Sequence, residues 1–411
     1  MKRSLTSWQA VVLLLVFLAM VGVYGMLAVL WDRMDSGGEA AAGTKGPAAT
    51  DSGVQILEPL DGAVLQRSPQ IAVRAALSDP GFTRAELEVD GAAVGTVANL
   101  EPSAVPWLAE WAWADAAEGS HLLVVAARDA SGARVASPPV TVTLVPPGRL
   151  AFASNRDGVP AIYAMGTDGR DVRRLSQGPG AARQPSWSGE GALAFVAETA
   201  DGPATIRTLP AGAGQPQDLF AGRDPAWSPD GARLAYTASV DGVSQVFVAG
   251  VAGGVPSPVT AEEVYAGQPT WSPDGTQLAY VARREGNWDV WVTALDGGAP
   301  RQLTEDLGTD WAPAWSPDGT RLAFVSDRAG SHQIYTMAPD GSEVRRLTDL
   351  PRGAEAPAWS PDGYWLAFVA YGGDGTGADA REIYLMRADG QEVVRLTHNA
   401  YDDGEPDWGS D

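Results

Sequence analysis

The side chains of this chain that could do chemistry are mostly carboxylates. Asp and Glu number 51 against 29 Lys and Arg, a formal charge of −22, and lysine occurs only as Lys2 and Lys45. That balance argues against nucleic acid or anionic lipid headgroups as partners. There is no cysteine, hence no disulfide and no thiolate metal site. The three histidines, His121, His332 and His398, stand far apart in the sequence, so a histidine metal site would need them to converge in space. No Gly-x-Ser-x-Gly elbow, phosphate-binding loop or His-Glu-x-x-His helix motif occurs.

The carboxylates fall into two groups. Asp230, Asp274, Asp318 and Asp362 each stand third in a Ser-Pro-Asp-Gly segment. There proline presets φ, Asp bonds its own backbone and Gly takes the left-handed position, so these are turn residues. The second group is irregular. It lies in Ala261–Ala266, Glu305–Trp311, Arg352–Glu355 and Tyr401–Glu405, and in the residues immediately before six Pro-x-Trp segments. Those residues are Arg183 and Gln184, Arg223 and Asp224, Gln268, Asp310 and Trp311, Glu355, and Glu405. Variable polar residues on a repeating scaffold mark where binding is built. Two arginines facing several carboxylates would suit a zwitterionic or peptide-like ligand, or a partner's loop. Calcium at a carboxylate cluster stays open as a cofactor, although no loop has the EF-hand spacing.

The scaffold is a repeat. Trp187, Trp227, Trp271, Trp315, Trp359 and Trp408 stand 40, 44, 44, 44 and 49 residues apart, by subtraction of their positions. After each of the first five comes a Leu-Ala strand, such as Leu322-Ala-Phe-Val325, apolar on both faces and so covered on both. Third strands such as Ile334-Tyr-Thr-Met337 and fourth strands such as Val344-Arg-Arg-Leu-Thr348 follow. A period in the low forties with four strands per copy predicts propeller blades. The copies begin on a second strand, Leu150-Ala-Phe-Ala153, and end on a first strand at Pro406-Asp-Trp408. The last strand must therefore complete the first blade, which closes a ring of six and leaves no open edge. One turn departs from the pattern: Ser188-Gly-Glu-Gly191 lacks Pro and Asp but keeps the glycine, so the hairpin is expected to survive.

Ahead of the ring, the reading is an all-β chain behind one helix. Residues 1–10 are expected in the cytoplasm and 11–31 as a transmembrane signal anchor. The apolar run Val11–Leu30 has 20 residues, enough as a helix for a bilayer core, and Lys2 and Arg3 precede it. A cleaved signal has a shorter apolar core, and the small residues Ala40-Ala-Ala-Gly43 lie far beyond this one. Residues 32–53 read as a flexible linker. Residues 54–146 give about seven short strands separated by turns at Asp61-Gly62, Asp90-Gly91 and Ser131-Gly132, which predicts an Ig-like β-sandwich with Trp107, Trp111 and Trp113 as packing residues. The segment Gly119–Gly132 resembles the late strands of bacterial Ig-like domains.

From residue 148 to 411 the repeat Trp-Ser-Pro-Asp-Gly followed by Leu-Ala-Phe-Val resembles the WD40-like repeat of TolB-like and prolyl-oligopeptidase-type propellers. The resemblance implies protein–protein contacts at the cell envelope. The expectation is thus a membrane-anchored extracytoplasmic binding or scaffold protein, not an enzyme, with envelope or extracellular proteins, a peptide or a glycan as partner. The rival class is a propeller enzyme with facing carboxylates or calcium at the ring axis. A glycan-binding module, using Trp311 and Tyr401, is the third reading.

Overall fold

The computed structural model describes residues 53–98, 106–178, 180–199, 202–212, 214–260, 265–372 and 380–409. The expected anchor at 11–31 and all of the linker but its last residue lie outside the described residues. Among those described, every regular element is a strand, and no helix is long and apolar enough to cross a membrane.

Residues 54–145 form two sheets over one core. Val54–Glu58, Gln70–Leu77 and Trp107–Ala114 make the first. The second runs in the order Ala63–Gln66, Val140–Val145, Gly119–Asp129, Phe82–Val89, Ala92–Ala98. Its first pair is parallel and its other pairs are antiparallel. Strict alternation in Trp107-Leu-Ala-Glu-Trp-Ala-Trp-Ala114 turns every second residue inward, so Trp107, Trp111 and Trp113 are buried in that core.

The rest is six four-stranded sheets among the described residues. Sheet 1 consists of Arg149–Ser154, Ala161–Gly166 and Arg173–Arg174, with Asp403–Gly409 as its innermost strand. Arg149 lies opposite Gly409 and Ser154 opposite Asp403. The innermost strands of sheets 2 to 6 are Ala181–Trp187, Arg223–Trp227, Ala266–Trp271, Asp310–Trp315 and Ala354–Trp359. Each contacts the next, and Asp403–Gly409 contacts both the sixth and the second. The second strands are buried on both faces, as in Leu322–Ser326, so successive sheets pack face to face.

Two repeated devices explain the repeated residues. The indole Nε1 of Trp227, Trp271, Trp359 and Trp408 donates to the carbonyl of Ser186, Ala226, Ala314 and Ala358, one sheet back, at 3.1, 3.0, 3.0 and 3.1 Å. In the turns, the Asp carboxylate accepts a backbone N–H two residues on, as Ala232 to Asp230 at 3.0 Å, and the Ser hydroxyl accepts the N–H of Arg233 at 2.9 Å. Hydrogen bonds from the turn serine hold Asp230, Asp274 and Asp318 below the usual carboxylate range. The divergent turn at Ser188–Gly191 forms too: the Gly191 N–H reaches the Ser188 carbonyl at 3.0 Å, with Gly191 at φ 80°.

Candidate functional site

In every inner strand the residue before proline takes a left-handed conformation: Gln184, Asp224, Gln268, Ala312, Ala356 and Glu405 have φ between 50° and 55°. Left-handed backbone is strained for a residue with a Cβ. Here it creates a bulge in the pairing with the second strand, at the same place in each sheet. At four of the six bulges the N–H leaves the ladder and takes an acceptor from the sheet before it. Gln184 N–H donates to Glu405 Oε2 at 2.7 Å, Asp224 N–H to Gln184 Oε1 at 3.0 Å, and Ala312 N–H to Gln268 Oε1 at 2.9 Å. Gln268 N–H is shared between Thr237 Oγ1, at 3.2 Å, and the Asp224 carboxylate. These six positions line an axial channel of about 500 Å³ together with the Pro and Trp of every inner strand. Four are polar; the alanines of sheets 5 and 6 end the series.

Burial pushes the Asp224 carboxyl above its ordinary range, although Thr237, the Gln268 N–H, Gln184 and Arg223 pull the other way. Lower in the channel Asp407 occupies a position held elsewhere by Ser186, Ala226, Thr270, Ala314 and Ala358. It accepts the Trp187 N–H at 2.6 Å, and burial pushes its carboxyl up to about 7.

Asp224 and Gln268 also form the wall of a second cavity, of about 330 Å³, at the end of the ring where the inner strands begin. Tyr265, Trp288 and Trp311 line it, with Ser244, Thr237 and Thr309. Trp311 is held from behind: the His332 ring meets its edge at a centroid distance of 4.6 Å, and His332 Nδ1 lies 2.6 Å from Glu355 Oε1. His332 is half-exposed and joins two of the predicted site residues.

The remaining predicted residues separate. Successive strand residues face opposite ways, so Asp310 turns inward where Trp311 turns outward. Asp310 is fully buried, and Arg328 Nη2 lies 3.0 and 3.1 Å from its two oxygens. Arg328 packs over Phe324 and Tyr335. Sheet 1 repeats this arrangement with Asp403, Arg156, Phe152 and Tyr163. Asp310 is therefore an internal anchor and not part of a polar rim. Arg223 is paired with Glu198 of the neighbouring sheet. Arg183 stands with Arg381, Asp402 and Glu405 around a small hollow. Each arginine thus stands beside carboxylates of the adjacent sheet, Arg223 with Glu198 and Arg183 around one hollow with Asp402 and Glu405. Among the described residues no group of three or more His, Asp or Glu is arranged to hold a metal ion.

Sequence reasoning did not single out Trp288 or Trp365, while Tyr265 lay within the Ala261–Ala266 loop named above and His332 was noted only as one of three separated histidines. Trp365 had a readable signal, since it replaces the Arg233, Gln277 and Arg321 of other copies. It is fully buried, and its Nε1 donates to Glu118 Oε2 at 3.1 Å. Arg67 pairs with the same carboxylate at 3.2 Å, and Val64 and Val145 pack against the cluster containing Trp365 and Leu150. The sandwich thus docks at the Ser-Pro-Asp-Gly end of sheets 6 and 1, opposite the end that carries the aromatic cavity.

Comparison with known proteins agrees with this geometry. The family model described as the TolB beta propeller domain matches residues 222–370. The structure of TolB from Acinetobacter baumannii superposes with a TM-score of 0.55 at 18% identity, covering 71% of this chain and 80% of that one. A TolB candidate from Agrobacterium tumefaciens gives a TM-score of 0.51 at 29% identity, covering 61% of this chain and 89% of its own. No curated protein matches the sequence. The ring is a TolB-like β-propeller.

Proposed function

We propose that this TolB-like propeller is a protein-binding ring of the cell envelope, held outside the cytoplasm by an N-terminal anchor. The closed cycle of inner strands over six sheets supports a six-bladed reading. An Ig-like reading of the sandwich is supported by its split first strand. Val54–Glu58 pairs with one sheet, and Ala63–Gln66 runs parallel to the last strand of the other. The anchor rests on the apolar run at 11–30 and the flanking Lys2 and Arg3. Binding, as against catalysis, is favoured because Gln184 ties both Glu405 and Asp224, so the axial carboxylates sit in hydrogen bonds within the wall.

The observation that carries the reading is the aromatic cavity facing away from the docked sandwich. The sandwich occupies one end of the ring and leaves the other to a partner. The test is crosslinking and capture from native membranes with wild type and a Trp288→Ala/Trp311→Ala variant, alongside melting curves. Loss of specific partners at an almost unchanged melting temperature is expected. Undiminished capture by the variant would move the binding face elsewhere. Protease added from the outer side should digest the full-length protein in intact membranes, and a soluble mature form would remove the anchor from this account.

A further inference from the structure

We infer that the aromatic cavity takes the ammonium end of a lysine side chain supplied by the protein partner, a reading that rests on the binding function above. Its walls are the rings of Trp288, Trp311 and Tyr265, and Asp224 and Gln268 stand on the side toward the channel. Aromatic faces attract cations, and the attraction grows as the cation is desolvated. A cavity of about 330 Å³ is at the low end for ligand sites and admits one side chain, not a helix or a strand.

The charge on the wall points the same way. The hydrogen bonds to the Asp224 carboxylate come from neutral donors: Gln184 Nε2, the Thr237 hydroxyl at 2.8 Å and the Gln268 N–H. The neighbouring Arg223 is engaged by Glu198. Elsewhere this chain sets its own cations on its indoles, with Arg233 4.6 Å from the Trp271 ring and Arg284 4.1 Å from that of Trp291. Among the described residues no such cation stands over Trp288 or Trp311. The cation for these rings would therefore come from a partner.

Lysine fits better than arginine. A guanidinium seeks both oxygens of a carboxylate at once, and those of Asp224 already accept from Gln184 and Thr237. An ammonium is a point charge with three donors. It can use one remaining lone pair of Asp224 together with the Ser244 and Thr309 hydroxyls that also line the cavity.

The test is a titration of the full-length protein with Nα-acetyl-lysine N-methylamide and with its norleucine counterpart, followed by tryptophan emission. The lysine compound should bind about tenfold tighter, and added salt should narrow the gap. Trp288→Leu and Asp224→Asn should each weaken it several-fold. The first is the safer variant, because Asp224 also ties neighbouring sheets together. Equal binding of norleucine would overturn the inference, since the cavity would then read shape alone. It would leave the envelope-partner reading intact. If Trp288→Leu lost the lysine compound but still captured the partner from membranes, the claim that the partner supplies the lysine would fail.

Discussion

Gln184 holds Asp224 from two sides. Its Oε1 accepts the Asp224 N–H at 3.0 Å, and its Nε2 donates to the Asp224 carboxylate. An amide suits this double role, since its oxygen accepts while its NH2 donates. Gln184→Glu would put two carboxyls within hydrogen-bond distance, which can share a proton at low pH but repel when both ionise. The variant should melt below wild type, with the deficit larger at pH 8 than at pH 5. A deficit independent of pH would mean that the new carboxylate turns away.

Asp407 gives a pH dependence of its own. Burial holds its folded-state carboxyl near 7, against an ordinary value of 3.8. The folded state therefore binds this proton more tightly than the unfolded state. The resulting stability is fully present below pH 3.8 and is lost as pH rises through 7. Asp407→Asn keeps an acceptor for the Trp187 N–H and removes the ionisation. It should come close to wild type near pH 4 and exceed it at pH 8 by roughly 4 kcal/mol. Equal denaturant midpoints at pH 8 would show that Asp407 ionises without penalty.

The ring tryptophans are not equivalent. Trp359 donates to the Ala314 carbonyl at 3.0 Å, whereas the buried Nε1 of Trp315 has no hydrogen-bond partner. Replacing each by Phe isolates that difference. Trp359→Phe should cost about 1 kcal/mol more than Trp315→Phe, because it alone breaks a bond and strands a carbonyl. Equal costs in urea unfolding would assign the repeated tryptophan to packing alone.

Trp365→Arg would restore the residue type of the other copies and remove the docking contact with Glu118. The loss of a buried indole is worth about 3–5 kcal/mol. Calorimetry should then resolve the sandwich and the ring as separate transitions, and limited proteolysis should cut near Pro146-Pro147. A single transition at the wild-type temperature would mean that Val64, Val145 and the hydrogen bond from Gln66 Nε2 to the Gly148 carbonyl, at 2.9 Å, hold the sandwich without it.

What could be read in advance follows from what each residue answers to. The blade strands, the turns and the pairing of Arg149–Ser154 with Asp403–Gly409 depend on local chemistry repeated along the chain, so the period exposed them. The rim did not yield in the same way. Asp224 stands directly before its proline, whereas Arg183 and Glu355 stand two residues before theirs and Asp310 three, and the bulge turns only the residue directly before the proline to the axis. The motif marks that position, but only the left-handed backbone gives it its meaning. Trp288 and Tyr265 join the cavity from a third strand and a loop, and their proximity to Trp311 arises only when neighbouring sheets pack. Trp365 was different: its departure from Arg and Gln was visible, but only the docked sandwich gives it a reason.

The pairing inside sheet 1 also imposes a timetable. Arg156 finds Asp403 across 247 residues of sequence. At a synthesis rate of roughly 5–20 residues per second, the outer three strands of that sheet wait roughly 10–50 s for their inner neighbour. During that interval the Arg149–Ser154 edge lies open and the Arg156 guanidinium lacks its carboxylate. An unpaired edge is a template for the wrong strand. Until Asp403–Gly409 arrives the nascent molecule is most exposed to aggregation, and a chaperone that shields one sheet edge would protect the whole ring.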